Sequence, residues 1–111
     1  MGSGDFFKGA ALGIIAGAIG GILLAPKSGE ETRDDIKKYY LEMRDKITEQ
    51  LKEAKSITKK KYDETVSGVV AGYEESKKIT AKQAEKTKKD LSDGYEKVRK
   101  AVEEAQAKAS K

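Results

Sequence analysis

Hydrophobic positions follow two different rhythms along this chain. From Phe6 to Ala25 they are nearly continuous, Lys8 is the one charge, and glycine returns at every fourth position as Gly9, Gly13, Gly17 and Gly21. After Glu30 apolar residues are sparse and recur at steps of eleven. One column reads Ile36, Ile47, Thr58, Val69, Thr80, Leu91 and Val102. A second reads Tyr40, Leu51, Tyr62, Tyr73, Ala84, Tyr95 and Gln106, and a third Met43, Ala54, Thr65, Ser76, Thr87, Val98 and Ala109. These columns hold more than half of the apolar residues after Glu30. Eleven residues fill three turns at about 3.67 per turn, so the columns stay adjacent on a straight helix.

The first rhythm predicts a membrane helix. A hydrocarbon core of about 30 Å is spanned by about 20 apolar residues, which residues 6–25 supply. Phe6 and Phe7 suit the interface, and Lys8 can extend to the headgroups. In water each interior glycine costs a helix about 1 kcal/mol relative to alanine. In lipid the same residues let two helices approach closely, so Gly9, Gly13, Gly17 and Gly21 are the expected helix-association face for a second copy. The plainer alternative is that glycine is simply common in membrane helices. A retained anchor is expected over a cleaved signal, because MGSGDFFK has one lysine and no small-x-small site precedes Pro26 cleanly. Lys27, Arg33, Lys37, Lys38 and Arg44 follow the span against Lys8 before it, which predicts an outside N-terminus and a cytoplasmic arm.

The second rhythm predicts a helical arm. Pro26 interrupts the first helix, and Ser28 with Glu31 forms an S-x-x-E capping box for the next, making Pro26, Ser28 and Glu31 the expected hinge. Stepping by eleven from Arg33 gives Arg33, Arg44, Lys55, Lys77, Lys88 and Arg99, interrupted by Val66, beside the tyrosine column. Basic residues bordering an apolar stripe suit an anionic lipid surface, and the rings of Tyr62, Tyr73 and Tyr95 suit the same depth. Unbroken from 29 to 108, the arm would reach about 120 Å at 1.5 Å per residue. A bend or break is expected near Gly68 and Gly72. A right-handed coiled coil shares the period, and a solvated spacer is the alternative that the diluting threonines favour.

Composition narrows the function classes. Only 37% of the chain is apolar and 38% is charged, so no globular core is expected. Without cysteine or histidine there is no material for Cys or His metal ligands, thiol nucleophiles, His-based triads or disulfides. No cofactor and no enzyme activity are expected. The net charge of +4 is spread over a mixed-sign surface, so no specific nucleic acid is expected as a partner.

The block FFKGAALGIIAGAIGGILLAPKSGEETR resembles the N-terminal signature of the YtxH-like family of small bacterial proteins. Its pattern is F-x-x-G, a Gly/Ala-rich hydrophobic span, L-x-A-P-x-S-G-x-E-x-R, then a charged helical tail. Here Phe6 to Gly9 and Leu23 to Arg33 carry the match. The resemblance implies a bacterial, membrane-associated, stress-linked protein, and it brings no catalytic residues.

These readings combine into an all-α protein. Residues 1–28 form the tail, a glycine-rich transmembrane helix and the hinge, and residues 29–111 form one long amphipathic helix. The expected role is non-enzymatic and structural, in envelope stress, with the anionic inner leaflet of the cell membrane as partner. The alternatives are a soluble late-embryogenesis-like protective or nucleic-acid-associated helical protein, and a self-assembling membrane pore.

Overall fold

The computed structural model describes residues 3–24, 33–52 and 57–109, whose regular structure is all helical. Helix α1 is Ser3–Leu23 and α2 is Arg33–Leu51, followed by α3 (Lys59–Glu75), α4 (Ala81–Asp93) and α5 (Tyr95–Ala109). Among the described residues the arm is therefore four helices, which corrects the expected single long helix.

The breaks have local causes. Thr58 sits extended ahead of α3, and its Oγ1 accepts from the Lys61 amide at 3.1 Å, capping an N–H that the helix leaves unpaired. Thr80 repeats the device for α4. Its Oγ1 accepts from the Gln83 amide at 3.0 Å, and Gln83 Oε1 accepts from the Thr80 amide at 2.9 Å, a reciprocal capping box. Between them α3 closes in a Schellman turn: the Lys78 amide donates to the Tyr73 carbonyl at 3.0 Å and the Lys77 amide to the Glu74 carbonyl at 2.9 Å. Lys77 holds the left-handed position, at φ 61°. Gly68 and Gly72 do not break the chain; α3 runs through both. A Cβ at either would meet open space, so these glycines are not needed for a bend. The hinge residues Pro26, Ser28 and Glu31 lie outside the described residues.

The helices fold back on one another, with α1 packed chiefly against α5 and α2. The molecule measures 42 × 27 × 27 Å with a radius of gyration of 14.3 Å. A compact chain of this length is expected near 13 Å. The expectation of no globular core is thus overturned. Ile15, Ile19 and Leu23 of α1 are buried together with Ile36, Met43, Ile47 and Leu51 of α2, Val66 and Val70 of α3, Leu91 of α4 and Val98 and Val102 of α5. The eleven-residue columns supply much of this set. In the fold the stripe is covered by the chain's own first helix. Burying it there removes apolar area from water at about 25 cal/mol per Å², which the thin stripe of an isolated arm could not do alone.

Among the described residues no helix is long and apolar enough to cross a membrane. The transmembrane reading of residues 6–25 is therefore not supported, and α1 stands as a bundle helix. Its Ile15, Ile19 and Leu23 face is buried among the other helices, and its exposed face offers Gly13, Gly17 and Gly21 in place of bulky apolar side chains. Gly94 lies against α1: a Cβ there would run into the end of the Ile22 side chain, which would have to shift.

Candidate functional site

Helix α1 has two faces. One carries Ile15, Ile19 and Leu23 into the core, while Gly13, Gly17 and Gly21 are exposed with open space where a Cβ would stand. Leu24, 36% exposed, continues that outer face. With Ala16, Gly20 and Arg44 these residues line an open groove of about 680 Å³. It is a bare, uncharged strip with one guanidinium at its edge. Three of the four ladder glycines are described as an exposed row, and Gly9 lies on the same helix. Among the described glycines of α1, Gly20, outside the ladder, meets a neighbour: the Arg44 side chain lies across it, and a Cβ there would stand 3.2 Å from Arg44 Cδ.

The basic column does not form one stripe. Arg33 opens α2, Arg44 is half-buried against α1, Lys77 sits in the α3–α4 turn, Lys88 is on α4 and Arg99 on α5, while Lys55 lies outside the described residues. Arg44 Nε donates to Asp45 at 2.9 Å. Arg99 bridges Glu96 and Glu103, each at 2.7 Å. Those hydrogen bonds hold the Glu96 carboxyl below its ordinary pKa and raise that of the guanidinium.

The tyrosines expected at a lipid interface are structural. Tyr62 is fully buried and its hydroxyl donates to the Leu91 carbonyl at 2.7 Å, tying α3 to α4. Tyr95 donates to the Ile57 carbonyl at 2.8 Å and its ring lies 5.4 Å from that of Tyr62. Burial pushes the Tyr62 hydroxyl well above its ordinary pKa, and the nearby Asp63 charge adds to this. Tyr73 donates to Glu42 Oε1 at 2.8 Å, tying α3 to α2. Its pKa is pushed up to about 12, first by burial, then by that hydrogen bond.

One surface feature escaped the periodic reading. Tyr39 on α2 and Tyr73 on α3 stand with ring centroids 6.0 Å apart and carry Lys38, Lys46 and Lys78 around them. These residues come from distant steps of the chain, so no local motif joins them. The nearest signal was Gly68-x-x-x-Gly72, which leaves an open floor beside Tyr73.

The chain belongs to the YtxH-like protein family, which matches residues 7–80. The match covers the glycine-rich helix and continues through α2 and α3, beyond the N-terminal signature. Helix α5, the main cover of α1, lies past it. No curated protein and no solved structure matches the chain.

Proposed function

We propose that this YtxH-like protein is a non-enzymatic structural protein of the cell envelope that works at the cytoplasmic face of the membrane. In this reading α1 is the membrane-seeking element, held in the bundle by its Ile and Leu face and presenting its glycine face to a bilayer. The supporting observation is the exposed, uncharged row of Gly13, Gly17, Gly21 and Leu24 on a helix whose other side is core. Lys27, Arg33, Lys37, Lys38 and Arg44 favour the side with anionic lipid. Once in lipid, the glycine face is also where a second copy of α1 would pack.

A second reading, a soluble protective helical protein, has one observation in its favour. The arm's apolar stripe is used up inside the bundle, which leaves little of it for lipid.

Vesicle flotation decides between them. The protein should rise with vesicles containing phosphatidylglycerol, and Gly13→Glu with Gly17→Glu should abolish this while circular dichroism stays helical, since both positions face open space. A wild-type protein that stays at the bottom of the gradient with every vesicle composition overturns the membrane reading. So does a double variant that floats as well as the wild type.

A further inference from the structure

We infer that the groove between α2 and α3, walled by Lys46, Lys78, Gln50 and Ser76 over the bare Gly68 and Gly72, is a binding site for a phosphate-type anion.

The groove holds about 370 Å³ and is also lined by Val69 and Tyr73. Lys46 Nζ lies 5.3 Å and Lys78 Nζ 5.5 Å from the centre of the Tyr73 ring. Lys78 also lies 6.0 Å from the Tyr39 ring, which carries Lys38 at 5.0 Å. Cations and rings therefore alternate from Lys38 and Tyr39, beside the groove, to Lys78, Tyr73 and Lys46, which line it. Among the described residues none of the three lysines has a carboxylate partner. The nearby acid Glu42 takes the Tyr73 hydroxyl instead.

A ring face holds an ammonium but leaves its charge intact, so three ammonium groups are gathered here, and the Glu42 and Asp45 charges that act on the Tyr73 hydroxyl offset them only in part. The fold sets the position of one of them. The Schellman turn that puts Lys77 in the left-handed region is what places Lys78 over Tyr73, the contact that such a turn usually makes with an apolar residue. The absence of side chains at Gly68 and Gly72 leaves the floor open for a ligand to approach backbone. Gln50 and Ser76 add neutral donors at the wall. Two point charges with hydrogen-bond donors and an open floor suit a multiply charged phosphate, because an ammonium binds phosphate without demanding one orientation. Such a group can come from a free phosphate compound or from a lipid headgroup. The inference does not depend on α1 meeting a membrane.

The full-length protein, titrated with inorganic pyrophosphate and followed by amide NMR, tests this. Saturable shifts are expected at Gln50, Gly68, Gly72, Ser76 and Lys78. Lys46→Gln with Lys78→Gln should weaken binding about tenfold or more, the loss of two charge-assisted contacts. Lys97→Gln with Lys100→Gln, exposed on α5 and equal in charge removed, should leave it within about twofold. A parallel arm compares flotation on phosphatidylcholine vesicles with and without phosphatidic acid. A preference for phosphatidic acid that the Lys46 and Lys78 changes remove assigns the site to headgroups; pyrophosphate binding without that preference assigns it to free phosphates. Absent or unsaturable shifts together with unchanged flotation of the double variant overturn the site, as does equal weakening by the α5 control. Pyrophosphate binding by a protein that floats with no vesicle leaves the site standing and removes the membrane reading. Flotation lost only on Gly13→Glu and Gly17→Glu, with pyrophosphate silent, does the reverse.

Discussion

Gly94 is bare at the place where Ile22 crosses it, and the end of the Ile22 side chain occupies the space that a Cβ would take. Adding one methyl should push Ile22 off its site. Gly94→Ala is expected to lower stability by about 1–3 kcal/mol, and Gly94→Val by more, although both are better helix formers than glycine. Urea denaturation measures this directly. A gain in midpoint for Gly94→Ala would mean that helix propensity outweighs the contact.

Thr48 and Thr87 bury their hydroxyls in the bundle without a hydrogen-bond partner. Each group lost its water on folding and gained nothing in exchange. Thr48→Val and Thr87→Val keep the shape and remove the penalty, so each should raise stability by about 1 kcal/mol. The two sites are on different helices, and the double variant should be close to additive. Thermal unfolding by circular dichroism is the measurement.

Lys77 holds a left-handed backbone that glycine adopts without strain. Lys77→Gly should stabilise the protein by up to about 1 kcal/mol, and Lys77→Ala should not, because alanine has the same Cβ to accommodate. If both changes act alike, the side-chain charge matters at this turn and the backbone does not.

Tyr73 predicts the alkaline limit. Its folded pKa of about 12 lies above the ordinary value of about 10, and that of Tyr62 is raised as well. The neutral phenol is the form that the fold favours. This contribution is fully present below about pH 10 and is lost as the pH rises through the folded pKa. Tyrosinate absorbance should show Tyr73 and Tyr62 titrating late, together with loss of helicity. Tyr73→Phe should remove one late step.

The helical class, the glycine-rich first segment and the eleven-residue stripe were all legible. The partner of the stripe was not, because Ile47, Leu91 and Val102 present the same apolar surface to lipid, to another chain or to α1. The breaks were partly written in the chain. Thr80 and Gln83 form a T-x-x-Q capping box, and Thr58 and Thr80 sit in the stripe at the very steps where helices begin. Read as diluted apolar positions they suggested a weak helix; as caps they divide it. Tyr62 and Tyr95 looked interfacial because a phenol suits an interface, yet it equally suits a core that offers a backbone carbonyl. The lysine groove was not legible, since Lys46 and Lys78 meet only through a tertiary fold.

Chain order gives the α1–α5 contact a temporal side. Helix α1 ends at Leu23, and its principal cover does not begin until Tyr95. At about 5–20 residues per second, a ribosome leaves the apolar helix without that cover for about 4–14 seconds. Pairing elements so far apart in sequence is also slow once synthesis ends, because loop closure must precede the contact that rewards it. The face of Ile15, Ile19 and Leu23 is therefore the part of the core whose closure waits for the last helix to be made.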